Sequence, residues 1–200
     1  MVLETDGEIK LNRDISTDTI QRAIQRDESA FRQIVEAFQT PVYNMCYRML
    51  MNEGEAEDAA QETFWKTWTN LVKYDINRPF GTWILSIAAH HCIDLKRKKQ
   101  VFQVEIDETM EEIIPDSIPG PKQEMAANER EREIQLYLQS LSDIDRAMIV
   151  MRYWDELSDK EIAAAMSLSE SAVKSRLFRA RRQLADVISR QKAAELEKTL

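Results

Sequence analysis

The 200-residue chain contains little of what several classes of protein depend on. Its 4 glycines form no glycine-rich phosphate loop, and its 2 cysteines, Cys46 and Cys92, lie far apart with no CxxC pair. No apolar run approaches the roughly 20 residues needed to cross a bilayer, and the acidic N-terminus has no apolar run that would mark a secretory signal. Two isolated thiols fit a reducing cytoplasm, where we expect the protein to act.

Catalytic and metal-binding patterns are also missing from the sequence. No nucleophile is placed beside a base, which argues against an enzyme, and neither a cofactor nor a small-molecule substrate is expected. His90 and His91 precede Cys92, but adjacent residues point to different sides of a helix. Because no second pair of ligands follows at zinc spacing, we expect no metal.

The balance of charge is acidic, with 27 Lys and Arg against 35 Asp and Glu, a formal net charge of -8 and a pI near 5.0. Domains that bind DNA by non-specific attraction alone are usually basic, so the chain is not expected to bind DNA tightly unaided. The bases are unevenly spread, however. Five bases and no acid occur from Val173 to Ala185, which indicates a local basic face.

Hydrophobic periodicity predicts an all-α protein. Residues that favour strands alternate nowhere for long, whereas apolar residues recur at i, i+3, i+4 and i+7 from residue 31 to residue 38. The apolar stripe continues beyond Pro41, which is expected to kink or interrupt the helix. Asp, Asn, Pro and Gly break the pattern after residue 73, and Thr82 is then predicted to cap the N-terminus of the next helix.

A change of composition divides the chain into two domains. Residues 101–121 hold six acids, three of the five prolines and no Lys or Arg, which is typical of a flexible linker. We therefore predict two small helical domains joined by an acidic, proline-containing linker. The predicted segments are a loose tail over 1–16, an N-terminal domain over 17–99, a linker over 100–127, a C-terminal domain over 128–192 and a tail over 193–200.

Helix-capping signals in the C-terminal domain predict a helix-turn-helix unit. Ser158 and Glu161 have the spacing of a capping box, and Ser142 with Asp145 resembles a cap. Two short helices joined by a tight turn make such a unit. Its predicted parts are a helix over 159–166, a turn at 167–168 and a second helix from residue 170, with Ser169 as its cap.

The second helix of this unit has an apolar back and a basic front. Spacing of i, i+4, i+7 and i+11 predicts a buried stripe of Val173, Leu177, Ala180 and Leu184. The residues left on the outside are Lys174, Ser175, Phe178, Arg179, Arg181 and Arg182. A recognition helix needs long donors that reach phosphates and purine edges, and an outward aromatic can contact a thymine methyl. The alternative is a solvated charged face with Phe178 packed against a neighbour.

Two separated segments resemble one protein family. The stretch EAEDAAQETFWKTW, followed by FGTWILSIAAHHCIDLKRKK, resembles region 2 of bacterial sigma factors. The stretch LSDIDRAMIVMRYWDELSDKEIAAAMSLSESAVKSRLFRARRQL resembles region 4. With no region 3 domain between them, the chain resembles the extracytoplasmic-function (ECF, group 4) sigma factors of the sigma-70 family, over nearly all of residues 17–187.

This resemblance implies a subunit that binds core RNA polymerase and directs transcription initiation at specific promoters. Region 2 of the family binds the coiled coil of the β′ subunit and melts the minus-10 element, and region 4 binds the β flap and reads the minus-35 element. The linker resembles the segment that threads toward the active site and the RNA exit channel. An anti-sigma factor that covers the polymerase-binding faces is an expected partner. The other candidate function is a stand-alone helix-turn-helix regulator.

The resemblance also assigns residues to these contacts. Core polymerase is expected at Asp58, Gln61 and Glu62, in an acidic stretch that a solvated helix N-terminus would also favour. The unwound minus-10 strand is expected at Tyr74, Asn77, Arg78, Ile87, Ala88 and His90, with phosphates at Lys96, Arg97 and Lys98. Base edges of the minus-35 element are expected at Lys174, Ser175, Phe178 and Arg179, and its phosphates at Arg176, Arg181 and Arg182.

One position departs from the family pattern. His90 stands where the family usually has an Asn that helps to hold a flipped base. Imidazole can donate, accept and stack, so the pocket is expected to survive with an altered base preference. His91 lies on the apolar stripe of the same helix and is expected to pack, and Trp83, which matches a family aromatic, is expected to lie in the core.

Overall fold

The computed structural model describes the backbone of residues 15–106 and 125–198, and the side chains of residues 15–101 and 132–193. The described segments contain eight α-helices and no strand, which confirms the all-α prediction. Residues 1–14 of the predicted tail and 107–124 of the predicted linker lie outside the described residues.

The elements of the N-terminal domain are α1 (Thr17–Ile24), α2 (Glu28–Leu50), α3 (Glu53–Asn70), a 3-10 turn (Leu71–Lys73) and α4 (Phe80–Ile106). The domain is built around the long helix α2. Helices α1, α3 and α4 all pack against α2, and most of the buried apolar side chains of this half lie between them. Side chains of Ser16, Asp27 and Asn52 accept backbone N–H groups and so begin the first three helices.

Helix α2 runs through Pro41 without a break, so the predicted interruption does not occur. An internal proline costs a helix about 3 kcal/mol. Burial on both sides of it offsets that cost, because Phe38 and Val42 are fully buried in one continuous stripe. Packing of the whole stripe against α3 and α4 therefore overrides the local preference.

The predicted cap at Thr82 is wrong, because α4 begins two residues earlier, at Phe80. The Trp83 N–H donates to the carbonyl of Pro79 at 3.2 Å, which places Thr82 inside the first turn. Phe80 is buried, with its ring centroid 5.5 Å from that of Phe38. Phe38 and Phe80 are far apart in the sequence. Their packing fixes the start of α4 more strongly than capping by the Thr82 hydroxyl does.

The C-terminal domain contains the predicted helix-turn-helix unit. The capping box is present, with the Ser158 hydroxyl accepting the Glu161 N–H and the Glu161 carboxylate accepting the Ser158 N–H. Ser167 closes the short helix in the left-handed conformation, with φ of 55°. The Ser169 hydroxyl accepts the Ala172 N–H at 3.2 Å and begins the next helix. The elements are α5 (Met125–Gln139), α6 (Asp143–Tyr153), α7 (Asp159–Met166) and α8 (Glu170–Lys198).

The predicted domain boundaries at residues 99, 128 and 192 fall inside α4, α5 and α8. Helix α4 continues to Ile106, α5 already begins at Met125, and α8 continues to Lys198. Helix ends alone do not define where a domain stops folding independently, so the boundaries stay predictions.

The two domains pack against each other, which the sequence did not predict. Helix α6 lies against α2 and α4, and α7 lies against α4. The centre of this contact is Arg146 on α6, which is only 3% exposed. Its Nη1 donates to the Met49 carbonyl of the N-terminal domain at 3.0 Å, and its Nε donates to the Leu138 carbonyl at 2.8 Å. Burial lowers the pKa of this guanidinium, and Asp143 opposes that shift.

Candidate nucleic-acid and polymerase interfaces

The basic front of α8 is open to solvent at its N-terminal end. Val173, Leu177 and Ala180 are buried, as the spacing predicted, and Leu184 packs at the edge of the core. On the other side, a shallow depression of about 400 Å³ is lined by Lys174, Ser175, Phe178 and Arg179. Phe178 is 55% exposed and so is not packed against a neighbouring helix. Four adjacent side chains thus present long donors and an aromatic ring on one surface.

The three other arginines predicted to contact the minus-35 element lie in different surroundings. Arg176 is half-buried, and its Nη1 donates to Asp145 Oδ1 at 3.0 Å. Arg182 is exposed, with its guanidinium carbon 6.0 Å from the centroid of the Phe178 ring. Arg181 is exposed and borders an apolar groove on the side of α5 and α6. Only Arg182 therefore adjoins the depression around Phe178.

The loop before α4 is held in place by its own side chains. Asp75 Oδ1 accepts the backbone N–H and the side-chain amide of Asn77, both at 3.0 Å, and these bonds lower the pKa of Asp75. The Tyr74 hydroxyl donates to the Arg78 carbonyl, and its ring lies 4.9 Å from that of Trp83. Tyr74 is buried, which raises its pKa, and Trp83 packs against the core as expected. The loop thus presents Asn77 and Arg78 outward.

A cleft of about 720 Å³ brings Asn77, Arg78 and His90 together. The His90 Nδ1 lies 2.7 Å from the Ser86 carbonyl, so Nδ1 carries the hydrogen and donates it. In the neutral ring, Nε2 is then left as an acceptor. Ile87 is half-buried and Ala88 has no exposed surface, so these two lie deeper than Asn77, Arg78 and His90.

The basic cluster at the end of the predicted N-terminal domain is engaged by acids of the protein itself. Lys96 Nζ lies 2.5 Å from Asp143 Oδ1 of the C-terminal domain. Arg97 pairs with Asp94 at 3.0 Å, one turn earlier on α4. Lys98 is exposed. The three predicted phosphate contacts are therefore consecutive on α4, but Lys96 already pairs with a carboxylate of the other domain.

The predicted polymerase contacts lie on one exposed face of α3. Asp58, Gln61 and Glu62 are all exposed, whereas Ala59 and Ala60 between them, and Thr63 after them, are buried. Sequence reasoning missed Trp65 on the same face, although it is 64% exposed. Its spacing of i+3 from Glu62, i+4 from Gln61 and i+7 from Asp58 could have found it. An exposed tryptophan amid carboxylates is typical of a protein-binding surface.

Comparison with known proteins identifies the family. A model of sigma-70 region 2 matches residues 34–101, and a model of sigma-70 region 4 matches residues 131–184. The ECF RNA polymerase sigma factor SigW of Bacillus subtilis is 36% identical over 173 residues, covering 82% of this chain and 92% of SigW. The chain belongs to the ECF sigma factors. The region 2 match favours this assignment over a stand-alone helix-turn-helix regulator.

Further relatives agree with this assignment. The RNA polymerase sigma factor NccH of Alcaligenes xylosoxydans is 29% identical to this sigma factor, over 82% of this chain and 89% of NccH. CnrH, solved in complex with the cytosolic domain of CnrY, has a TM-score of 0.67 at 24% identity, over 86% of this chain and 96% of CnrH. The sigma factor RpoE of Bartonella quintana, solved with the anti-sigma factor NepR, has a TM-score of 0.63 at 20% identity, over 80% of this chain and 96% of RpoE. These two structures share the fold.

The C-terminal domain of the sigma factor carries an apolar groove of about 420 Å³ between α5, α6 and α8. Tyr153 at its edge is 53% exposed, and Trp154 is half-buried. The residues lining the groove are Ile134, Tyr137, Leu138, Ile149, Tyr153, Trp154, Arg181, Leu184, Ala185 and Ile188. A groove of this kind suits the apolar face of a partner helix.

The second histidine and the cysteines of the sigma factor have internal partners. His91 Nδ1 lies 2.6 Å from Lys66 Nζ, and burial and that ammonium lower the pKa of His91. Because an ammonium only donates, Nδ1 is the acceptor and the imidazole is neutral. Cys46 and Cys92 are fully buried, and their mutual contact and burial raise the pKa of Cys92. In the part of the chain that the structure describes, no group of three or more potential ligands could hold a metal ion.

Among the described helices of the sigma factor, none combines the length and the apolar character needed to cross a bilayer.

Proposed function

We propose that this sigma factor recruits core RNA polymerase through α3 and the C-terminal groove, and reads promoters through two separate DNA surfaces. The observation that carries the proposal is the recognition helix, whose first turns present Lys174, Phe178 and Arg179 over a buried apolar back. In a member of the sigma-70 family, such a helix is the reader of the minus-35 duplex.

Chemistry assigns the contacts on α8. Lys174 and Arg179 supply donors for guanine edges, and Phe178 supplies an apolar contact for a thymine methyl. Arg181 and Arg182 would bind phosphates, and such contacts position the helix without reading sequence. Arg176 would meet a phosphate with its guanidinium already oriented by Asp145.

Arg179→Ala is expected to change the preferred minus-35 sequence, because a base-edge contact is worth about 1–3 kcal/mol of discrimination at one base pair. Arg182→Ala is the matched control, since it removes the same side chain from the same helix at a phosphate contact. It should weaken all promoters to a similar extent. Run-off transcription over a panel of promoters with single minus-35 changes would measure both. Equal weakening of every promoter by both variants would contradict this division.

For the minus-10 element we propose a surface made by Asn77, Arg78 and His90, with Tyr74 supporting the loop and half-buried Ile87 contributing from the same helix as His90. The acceptor at His90 Nε2 suits the exocyclic amino group of a flipped adenine or cytosine. Ala88 would contribute by close packing beneath this surface, since it has no exposed area. Lys96, Arg97 and Lys98 would hold the phosphates upstream.

For core polymerase we propose the acidic face of α3 as the site of the β′ coiled coil, and the apolar groove as the site of the β flap. Asp58, Gln61 and Glu62 offer acceptors to a basic helix. The relatives CnrH and RpoE were solved with CnrY and with the anti-sigma factor NepR. We propose that an anti-sigma factor likewise regulates this chain by covering the same two faces.

We also propose that the protein performs no covalent chemistry, needs no cofactor and acts in the cytoplasm beside core polymerase. Its division into region 2 over 17–99 and region 4 over 128–192, with the linker between, belongs to the same proposal. Positioning of promoter DNA on the polymerase is then its whole activity.

Reconstitution tests the proposed function. The purified protein with core RNA polymerase should give run-off transcripts from promoters found by mapping start sites after overexpression. The protein alone should shift the same promoter DNA weakly, because its net charge of -8 opposes non-specific binding. A tight shift without polymerase, together with no transcript when polymerase is present, would favour a stand-alone regulator instead.

A further inference from the structure

His90 is held in one orientation on α4. Its Nδ1 lies 2.7 Å from the carbonyl of Ser86, one turn earlier on the same helix, and donates its hydrogen to that carbonyl. Because Nδ1 is turned toward the helix backbone, Nε2 is turned away from it, toward the cleft that Asn77 and Arg78 also line. The ring is exposed to solvent in this position. One nitrogen thus fixes the imidazole, and the other is left to meet a base.

Uptake of a proton by this ring changes the hydrogen bonding of Nε2 alone. A backbone carbonyl only accepts, so Nδ1 keeps its hydrogen in the neutral ring and in the cation. Nε2 is an acceptor in the neutral ring, whereas in the cation it carries a hydrogen and donates it. The same atom of His90 therefore reverses its role without movement of the side chain. The Asn that the family usually has here holds a donor and an acceptor, and its amide does not titrate.

The four bases differ at the atom that such a contact would read. Adenine and cytosine carry an exocyclic amino group, which donates, and guanine and thymine carry a carbonyl oxygen at the corresponding position, which accepts. An acceptor at Nε2 pairs with the amino group and leaves the carbonyl without a partner. A donor at Nε2 has the opposite preference. One protonation step therefore exchanges the class of base that the ring favours.

His91, the other of the chain's 2 histidines, is held in the neutral form. Burial and the Lys66 ammonium, whose Nζ lies 2.6 Å from His91 Nδ1, lower the pKa of His91. Imidazole ordinarily gains its proton between about pH 8 and pH 5, and His91 stays neutral further into that range than an ordinary histidine does. An effect of pH on the minus-10 surface is thus expected from His90 rather than from His91.

Charged side chains of three elements surround His90, and each element contributes one base and one acid. The loop before α4 contributes Arg78 and Asp75, α4 itself contributes Arg97 and Asp94, and α7 across the cleft contributes Lys160 and Glu161. The first two of these sets are ion pairs, with N–O distances of 3.6 and 3.0 Å. These charges balance in sign, in contrast to the ammonium that contacts His91.

We propose that His90 is a pH-dependent reader of the minus-10 element, which selects adenine or cytosine when its ring is neutral and guanine or thymine when its ring is protonated. This inference rests on the proposed function, because it requires the surface of Asn77, Arg78 and His90 to bind the unwound strand. As the pH falls, preference at the contacted position shifts from an amino base to a keto base. Promoters that differ at this one position then respond to acidification in opposite directions.

Promoter binding by the holoenzyme tests this inference. The probe is a promoter found by start-site mapping, with an unpaired minus-10 strand that carries cytosine or thymine at one position at a time. The measured quantity is the ratio of the dissociation constant for thymine to that for cytosine, at about pH 8 and at about pH 5.5. Effects of pH on polymerase or on phosphate contacts act on both probes and cancel in this ratio. Lowering the pH should reduce the ratio about tenfold at the position that residue 90 reads.

Substitutions of His90 assign the effect to the imidazole. His90→Ala should alter base preference at a single position, which identifies the base that residue 90 reads. His90→Asn should give the same ratio at both pH values, because its amide does not titrate. His90→Arg keeps a donor at every pH and should favour thymine at both. Each variant is expected to fold, since the side chain is exposed.

His91→Gln is the matched control, since it removes the adjacent imidazole from the same helix. Its ratio should fall with pH as the wild-type ratio does. A ratio that is independent of pH at every minus-10 position, a pH effect that persists in His90→Asn, or one that is lost in His91→Gln would overturn the inference while leaving the proposed function intact. Failure to form a holoenzyme that transcribes any mapped promoter would instead overturn the proposed function, and this inference with it.

Discussion

Replacing Trp65 with alanine is expected to weaken binding to core RNA polymerase by about 2 kcal/mol or more, roughly 30-fold in Kd. The indole is 64% exposed on the face of α3 that also carries Gln61 and Glu62. Tryptophan at the centre of an interface buries a large apolar area at low cost in side-chain entropy. Titration of labelled core enzyme with the sigma factor would measure the change.

Val72→Ala is the control for this prediction. Val72 is 66% exposed and lies seven residues beyond Trp65, in the 3-10 turn that follows α3. Loss of a small apolar group beyond the end of α3 should change Kd little. If both variants weakened binding equally, general loss of apolar surface rather than an anchoring role would explain the result. Circular dichroism should show both variants folded, because neither side chain is in the core.

Phe38→Ala is expected to destabilise the N-terminal domain by about 3–5 kcal/mol, a large part of the stability of a small domain. Phe38 has no exposed surface, and its ring centroid lies 5.5 Å from that of Phe80. A Cβ added at Gly81 would lie 3.3 Å from Phe38 Cε1, so the ring also lies directly against the first turn of α4. Removing it leaves a cavity under the helix that positions the proposed minus-10 surface.

Urea unfolding followed by circular dichroism would measure this loss. Phe31→Ala is the matched control, since it makes the same change on the same helix at a half-buried ring that packs 4.7 Å from Trp68. A smaller loss of stability is expected in Phe31→Ala, because removing a half-buried ring leaves a smaller cavity. Comparable losses in the two variants would show that the site beneath α4 relaxes after the ring is removed.

Local patterns in the sequence were enough to predict the helix-turn-helix unit. The capping box of Ser158 and Glu161 and the turn at Ser167 depend on residues within a few positions of each other. The same holds for the buried stripe of α8, which follows from helical spacing alone. Such features are visible in one sequence because their partners are neighbours in it.

Contacts between distant residues could not be predicted in this way. Arg146 and Met49 are 97 residues apart, and nothing near Arg146 in the sequence distinguishes it from an exposed base. Thr82 satisfied the local rule for a cap, yet burial of Phe80 set the start of α4 instead. Exposure of Trp65 also depends on which face of α3 the other helices cover, although its spacing from Gln61 was a usable signal.

The ion pair between Arg176 and Asp145 has a consequence for the thermodynamics of promoter binding. Immobilising a long side chain on binding costs about 0.5–1.5 kcal/mol in lost rotamer freedom. Arg176 is already held by Asp145 at 3.0 Å in the free protein, whereas Arg182 is exposed and gives up this freedom on contact. At its proposed phosphate contact, Arg176 therefore enters the complex preorganised, and in that proposal it fixes the register of α8 on the phosphate backbone before the exposed side chains settle on the bases.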